Sequence, residues 1–309
     1  MPKISIIIPL YNKGFIFQKT LESVLQQSFT DFELIVVNDG SDDNSVEILK
    51  SYHDSRIKLY HQDNQGVGTA RNFGIEKATS ELIAFLDADD YWLPDHLEEI
   101  YLLYQDFPDC GIYASRYFMK IATHKNVRTF YKNIAQDFRG VVNNFFDASL
   151  PYRIGLTSSL AIPKSIFTEK RFNPTVTSGQ DLELYTKIAL EYPVALTSAF
   201  TVEYNFSLDN QLSKTPITRK RLMNFEQFSE KEKSNGSLQR FLDLYRLEYA
   251  MQFKIAGDLE RSEHYFKTIK TSIPFKTKLL YKMPGSVLKK LLRFKQFLRS
   301  KGFDFSIYN

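Results

Sequence analysis

Three aspartates follow a short apolar segment, and their spacing is suited to binding a metal ion. Leu82–Leu86 is almost wholly apolar, which predicts a strand buried on both faces. Asp87 and Asp89 flank the small Ala88, and strand residues i and i+2 point the same way, so both carboxylates can face one point. A hard divalent cation prefers such oxygen ligands. The alternative is a solvated acidic turn that precedes a helix.

The segments that must position these aspartates alternate between strand and helix. Apolar runs predict four strands: Ile4–Leu10, Phe32–Val37, Arg56–Tyr60 and Leu82–Leu86. Helical spacing and capping residues predict three intervening helices: Gly14–Gln27, a helix capped within Ser41–Asn44 that runs to about Tyr52, and Gln65–Ala78. This alternation indicates βαβ units, and therefore an α/β fold with a mostly parallel sheet flanked by helices.

Polar side chains follow three of the predicted strands. Tyr11 and Asn12 come after the first strand, Asp39 after the second, and Asp87 and Asp89 after the fourth. Ligands of open parallel sheets bind beyond the carboxyl ends of the strands. We therefore expect these side chains to share one rim and to form a binding site there.

Length and composition narrow the class of protein. The chain has 309 residues, of which 43% are hydrophobic, enough for one large domain or two smaller ones. No basic segment followed by an apolar one opens the chain, and no run reaches about 18 apolar residues, so we expect neither a signal peptide nor a membrane span. The single Cys110 fits a reducing cytoplasm.

Charge is distributed unevenly along the chain. The net charge is +4, but residues 276–301 contain basic residues and no acidic one. Ser286–Arg299 also has an apolar stripe, so this tail has the pattern of a helix that lies on an anionic membrane. A solvated helix face is the alternative. Nucleic-acid binding is not expected, because the cations cluster at one end and the presumed cleft is acidic.

The second half of the chain has weaker patterns. Asp181–Leu190 has helical spacing, Val194–Tyr204 alternates like a strand, Gln211–Arg219 reads as a polar linker, and the chain is helical from Leu238 onward. We therefore predict two regions. Residues 1–215 form the catalytic domain, and residues 216–309 form a helical C-terminal region that ends in the basic amphipathic tail.

Several motifs together resemble a known enzyme family. They are ISIIIPLYNKG, LxxSVLQQSFxDFELIVVNDGS, NQGVGTARNFG, FLDADD and SGQDLELY, and they cover roughly residues 4–190 in the family's order. In these residues the chain resembles an inverting, nonprocessive family 2 glycosyltransferase of bacterial type. The resemblance implies a GT-A fold, which is Rossmann-like, here with an α-helical C-terminal extension.

The resemblance implies which residues bind the nucleotide. Pro9, Leu10, Tyr11 and Asn12 match the turn that lies against the base, and Asp39 matches the aspartate that accepts a hydrogen bond from uracil.

It also implies how the phosphates and the acceptor are handled. Arg71 matches the arginine at the base and phosphate end, and the Asp87-Ala88-Asp89 motif places Asp87 on the ribose and Asp89 on a manganese or magnesium ion, Mn²⁺ or Mg²⁺. Asp181 matches the catalytic base, which takes a proton from the acceptor hydroxyl.

The chain departs from the family pattern at several positions. Asn38 replaces the first aspartate of the common DDGS turn, and Gln180 replaces the glutamate of the Glu-Asp pair. The segment EYNFSLDNQLS, which follows the last strand, has no Arg or His, so no third metal ligand can be named from the sequence.

We therefore expect a metal-dependent transferase of the hexosyl or N-acetylhexosaminyl class. It would move a sugar from a UDP donor to a hydroxyl of a saccharide or lipid-linked acceptor with inversion, in cell-surface polysaccharide or glycoconjugate synthesis. The expected location is cytoplasmic and peripheral to the inner face of the membrane, through residues 276–301. The alternatives are a noncatalytic nucleotide-sugar-binding protein and a nucleotidyltransferase. The latter would need a Gly-rich loop after the first strand to bind phosphates, and this chain has Pro-Leu-Tyr-Asn-Lys-Gly there.

Overall fold

The computed structural model describes residues 1–122, 125–205 and 215–300. In these residues ten strands form one sheet in the order β3-β2-β1-β4-β9-β6-β10-β5, with β7 beside β6 and β8 beside β10. The first part of the sheet is parallel. Its strands are β1 (Ile4–Leu10), β2 (Phe32–Asp39), β3 (Ile57–Gln62) and β4 (Leu82–Phe85). The predicted parallel strands are confirmed, with shifts of one or two residues at their ends.

The second part of the sheet is mixed. Its strands are β5 (Tyr91–Trp92), β6 (Ile112–Ala122), β7 (Lys125–Arg128), β8 (Gly140–Val141), β9 (Leu160–Pro163) and β10 (Val194–Asn205). β9 runs antiparallel to both β4 and β6, whereas β6 and β10 are parallel. The short β5 was not predicted, because only its pairing with β10 makes it a strand.

Helices cover both faces of the sheet. α1, α2 and α4 pack in one hydrophobic cluster with one face of β1, and α3, α5 and α6 pack in a second cluster with the other face. The bounds are α1 (Gly14–Leu25), α2 (Ser45–Lys50), α3 (Val67–Lys77), α4 (His96–Asp106), α5 (Phe145–Ala148) and α6 (Gln180–Ala189). α2 begins directly after the predicted cap residues and ends two residues before the predicted end. The Asp43 carboxylate accepts the Ser45 and Gly14 amides and holds the preceding stretch as a turn.

The C-terminal helices continue from the second cluster. They are α7 (Ser229–Ser234), α8 (Gly236–Ala256), α9 (Leu259–Lys267), α10 (Phe275–Lys282) and α11 (Gly285–Ser300). Phe241 of α8 lies against Phe145 and Phe146 of α5. The first part of the predicted C-terminal region therefore shares a core with the sheet, and the division near residue 215 stays a prediction.

Two further expectations concern membrane-spanning helices and the segment that follows the last strand. None of the described helices is long and apolar enough to cross a membrane. The EYNFSLDNQLS segment lies outside the described residues from Phe206 onward, because 206–214 are omitted. Of the polar linker predicted over Gln211–Arg219, the described part includes a short 3₁₀ helix, Ile217–Arg219, in which Ile217 is buried.

Candidate active site

The carboxyl ends of β1, β2 and β4 lie side by side. Leu10 is level with Asn38 in the parallel pair of β1 and β2, and Phe85 is level with Ile7 in the pair of β1 and β4. The polar segments that follow these strands therefore meet along one edge of the sheet. We call this edge, with the side chains of Tyr11, Asn12, Asp39, Asp87 and Asp89, the carboxylate rim. The predicted grouping of these residues is found in the structure.

The turn after β1 is fixed by Asn12. Its φ is +49°, in the left-handed region that asparagine tolerates better than most residues. Its backbone N–H donates to the Ser41 hydroxyl at 3.1 Å, and its side-chain oxygen accepts from the Asp42 N–H at 3.0 Å. Pro9 and Leu10 are buried in β1, whereas the next side chain, Tyr11, is 47% exposed. Tyr11 is therefore an accessible aromatic surface at the rim.

Asp39 organises the loop that leads into α3. Its carboxylate accepts hydrogen bonds from Gln62 Nε2 at 2.7 Å, the Gln65 N–H at 2.8 Å and the Gly66 N–H at 2.9 Å. A carboxylate has about four lone-pair sites. Asp39 thus has room for about one further donor, and its assignment to uracil stays a prediction.

The aspartates after β4 each have a different protein partner. Arg71 donates to Asp87 Oδ1 at 2.5 Å, and Lys13 Nζ lies 2.8 Å from Asp89 Oδ2. Between them, the carbonyl of Ala88 accepts from the Thr20 hydroxyl. Burial raises the pKa of Asp89, since it outweighs the opposing effect of the Lys13 cation. The pairing of Lys13 with Asp89 joins residues 76 positions apart and was not predicted from the sequence.

Asp90 is the buried neighbour of the rim residue Asp89. It is fully buried, accepts from the Ser158 hydroxyl at 2.5 Å and from the Asn205 N–H at 3.0 Å. Burial, with the charges of Asp89 and Asp87, raises its pKa well above the usual range. Ser158 also accepts from the Asp87 N–H at 3.1 Å, so this one hydroxyl ties two of the aspartates together.

Arg71 connects the rim to the start of α6. It is 4% exposed, its guanidinium lies 5.2 Å from the Phe172 ring, and its Nε has no hydrogen-bond partner among the described residues. Burial disfavours its charge, but the nearby Asp87 and Asp181 carboxylates outweigh that effect and the pKa of Arg71 is raised. Asp181, the predicted base, is therefore close enough to the carboxylate rim that both Asp181 and Asp87 stabilise the charge of the Arg71 guanidinium.

Asp181 is tied to an arginine that sequence reasoning missed. Arg153 donates to Asp181 Oδ2 at 2.5 Å. Burial alone would raise the pKa of Asp181, but the Arg153 cation and hydrogen bond hold it below the ordinary value. Tyr245 of α8 lies beside this pair, and burial raises the pKa of its hydroxyl to about 12. Arg153 belongs to the weakly patterned stretch before β9, where no sequence signal could identify it.

Gly179 and Gln180 fix the entry into α6. Gly179 has a φ of +88°, and a Cβ there would lie 2.8 Å from the Tyr249 hydroxyl of α8. Gln180 is 5% exposed and points at Gly68 of α3, where a Cβ would lie 2.6 Å from its side-chain oxygen. The residue that replaces the family's glutamate therefore packs α6 against α3. A glutamate at this buried position would place a second carboxylate directly beside Asp181 in the sequence.

The rim fits a divalent cation that is shared with a substrate. Among the described residues, no group of three or more His, Cys, Asp or Glu could hold a metal on its own. Mg²⁺ is usually bound by one or two carboxylates together with substrate phosphates and water. Asp89, with Asp87 beside it, supplies such oxygen donors, so the residues suit a phosphate-bridging ion better than a permanently bound one.

Comparison with known proteins gives the family. The model of the family described as Glycosyl transferase family 2 matches residues 5–157, which include Asp39, Asp87 and Asp89. The predicted resemblance to this family is therefore confirmed over residues 5–157. Asp181 lies beyond the matched segment.

Curated glycosyltransferases are similar to parts of this chain. The uncharacterized glycosyltransferase YibD of Escherichia coli K12 is 49% identical over 100 residues, which are 32% of this chain and 29% of that protein. An uncharacterized glycosyltransferase of Rickettsia felis is 29% identical over 222 residues, which are 70% of this chain and 33% of that protein. The match thus spans about a third of each relative's length.

Solved structures show the fold. The crystal structure of Staphylococcus aureus TarS 1–349 in complex with UDP-GlcNAc matches with a TM-score of 0.62 and 16% identity, over 86% of this chain and 91% of that one. The fold of this chain is accordingly the predicted GT-A fold.

Proposed function

We propose that the chain is a metal-dependent, nonprocessive, inverting glycosyltransferase of the hexosyl or N-acetylhexosaminyl class. It would move a sugar from a UDP donor to a hydroxyl of a saccharide or lipid-linked acceptor, in cell-surface polysaccharide or glycoconjugate synthesis. The observation that carries the proposal is the carboxylate rim, where Asp39, Asp87 and Asp89 follow adjacent parallel strands. Further support is that the TarS structure of the same fold was crystallised with UDP-GlcNAc.

The donor nucleotide would lie along the carboxylate rim. Tyr11 offers an exposed ring against which a base can stack, and Asp39 has capacity for about one more donor, such as the uracil N–H. Arg71 and Asp87 would then lie near the ribose and phosphates.

Asp89 would hold Mn²⁺ or Mg²⁺ together with the diphosphate. When bound, such an ion neutralises the charge that builds on the nucleoside diphosphate as the glycosidic bond breaks. Lys13 contacts the same carboxylate and Arg71 contacts the neighbouring one, so two protein cations also face this region. The leaving group would therefore be stabilised from several sides.

Asp181 would take the proton from the acceptor hydroxyl while that oxygen attacks the anomeric carbon. The C–O bond to the acceptor forms as the bond to the diphosphate breaks, and this single displacement inverts the carbon. General-base help is worth about 10²–10⁴-fold. Arg153 orients the carboxylate but also weakens it as a base, because the cation lowers its pKa.

The proposed location is the cytoplasmic face of the cell membrane, with peripheral attachment. The support is the basic and apolar tail, residues 276–301, of which 276–300 lie within the described residues.

A screen of nucleotide sugars tests the donor assignment. A ligand that binds the native state raises its melting temperature, so UDP-sugars should raise it more with Mn²⁺ than with EDTA. Turnover is then measured with the best donor and a panel of saccharide and lipid-linked acceptors. Absence of any shift with UDP, UDP-GlcNAc or UDP-glucose would contradict the donor assignment.

A noncatalytic nucleotide-sugar-binding protein is the second candidate. The ion pair of Asp181 with Arg153 favours it, because a carboxylate held by a cation is a weaker base. The two candidates differ in turnover alone: the binding protein would show the thermal shift but no transfer to any acceptor in the panel.

A further inference from the structure

Helix α11 exposes an apolar stripe to solvent. Val287, Leu291 and Phe294 recur at positions i, i+4 and i+7 of the helix, and they are 40%, 43% and 59% exposed. This spacing puts the three side chains on one face. On a neighbouring face, Leu288 is buried against the protein. α11 therefore packs on the protein through the face that carries Leu288, and its neighbouring face presents large apolar side chains to solvent.

The same segment is strongly cationic. From His264 to Phe303 the sequence has no aspartate or glutamate. Lys289, Lys290 and Arg293 of α11 are exposed and lie beside the apolar stripe. Because the whole chain carries only +4, the remainder is net acidic, and the positive charge is concentrated at this end.

The cationic segment is held firmly on the preceding helices. The Tyr281 ring of α10 stacks on Phe266 of α9 at 3.6 Å between centroids, and its hydroxyl lies 3.0 Å from the Ser262 hydroxyl. Lys254 of α8 donates to the Tyr281 carbonyl. Gly285, the first residue of α11, packs so closely on the Lys254 carbonyl that a side chain would not fit. The stripe is therefore fixed relative to the rest of the protein.

We infer that α11 is an interfacial helix that docks this protein on an anionic lipid bilayer. The apolar stripe would enter the boundary of the acyl chains while the adjacent cations meet the headgroup phosphates. A second copy of the chain fits this face poorly, since pairing two such helices would bring like charges together. Nucleic acid would neutralise the cations but leave the leucine and phenylalanine side chains uncovered.

Docking through α11 would bring the candidate active site near the membrane. The segment attaches at Lys254 of α8, and Tyr245, which lies beside the Asp181–Arg153 pair, is nine residues earlier on the same helix. At about 1.5 Å per residue, the two positions are about 14 Å apart along the helix axis. An acceptor anchored in the bilayer is therefore within reach of the site; this last step rests on the proposed function, whereas the docking does not.

Co-sedimentation of the full chain with liposomes tests the docking. We expect the protein to pellet with vesicles of phosphatidylcholine and phosphatidylglycerol, and far less with phosphatidylcholine alone. The triple variant Lys289→Gln/Lys290→Gln/Arg293→Gln should bind about a hundredfold more weakly, since each cation near an anionic surface is worth about a fivefold change. The variant Leu291→Ser/Phe294→Ser should lose about tenfold.

Matched variants elsewhere control for charge, hydrophobicity and folding. Lys50→Gln/Lys132→Gln/Arg171→Gln removes three exposed cations, and Leu259→Ser/Leu102→Ser removes two exposed leucines; both should bind like the unmodified chain.

Equal binding to both lipid mixtures, or unchanged binding by the α11 variants, would overturn the inference. So would a concentration-dependent dimer, measured without lipid by sedimentation velocity, that the α11 substitutions abolish. Donor-induced thermal shifts should be the same in every variant, so failure of docking is distinguishable from failure of the proposed activity.

Discussion

The two ends of the candidate site are built in different ways. At the proposed donor end, Asp39, Asp87 and Asp89 follow adjacent parallel strands, and the backbone of the sheet alone brings them together. At the proposed acceptor end, Asp181 and Arg153 come from α6 and from a loop before β9, and Tyr245 reaches them from α8. The donor end is thus a property of one local fold unit, whereas the acceptor end depends on long-range packing and charge pairing.

This difference suggests how family members can vary. A nucleotide is a constant ligand, and strand ends that are fixed by ladder hydrogen bonds suit it. An acceptor differs between enzymes, and a site assembled from helices and loops can change without disturbing the sheet. We therefore expect substitutions at the acceptor end to alter transfer while donor binding persists.

Among the substitutions at the acceptor end and around α6, the largest effect is expected at Asp181, the proposed base. Asp181→Asn should lower the rate of transfer by about 10³-fold, since it removes general-base help, while the donor-induced thermal shift is retained. The matched control is Asp109→Asn, which changes an exposed aspartate far from Asp181 in the sequence and should leave transfer unchanged. Loss of donor binding in Asp181→Asn would break the distinction between the two ends.

A smaller effect is expected at the entry into α6. Gly179→Ala should lower the free energy of unfolding by about 2 kcal/mol or more, because the left-handed φ disfavours a side chain and the new Cβ would meet the Tyr249 hydroxyl. Gly257→Ala is the matched control: its φ is +86° but nothing lies within 4 Å of the added Cβ. Chemical denaturation should show a smaller loss for Gly257→Ala, and equal losses would refute the contact with α8.

The smallest expected effect is a shift in pH dependence. Arg153 lowers the pKa of Asp181, which burial would otherwise raise, so Arg153→Met should move the acid limb of the kcat/KM profile to higher pH. Activity that depends on the ionised carboxylate is present above that pKa and lost as the pH falls through it. Arg139→Met removes a more exposed ion pair, with Asp106, and should leave the profile in place. An unmoved limb in Arg153→Met would mean that Asp181 is not the titrating base.

The donor end could be predicted from sequence because its signals are local. Apolar runs define β1, β2 and β4, and the position of Asp39 or Asp87 relative to its own strand is enough to place it on the rim. Even here, the pairing of Lys13 with Asp89 was missed, since no local pattern links residues so far apart.

The acceptor end could be predicted only in part. Asp181 was found through its motif, but Arg153 and Tyr245 lie in segments whose sequence has no relation to that motif. Their meeting depends on the packing of α5, α6 and α8 in one hydrophobic cluster. Likewise, Gln180 looked like a departure from the family, and only the structure shows that its side chain fills the space beside Gly68.

The central claim is that the carboxylate rim holds a nucleotide sugar through a divalent ion at Asp89. Its most direct test is donor turnover by the unmodified chain and by Asp89→Asn, each with Mn²⁺ and with EDTA. We predict that EDTA abolishes turnover by the unmodified chain, and that Asp89→Asn lowers turnover by about 10³-fold while the protein stays folded. Unchanged turnover by Asp89→Asn in the presence of Mn²⁺ would contradict the claim.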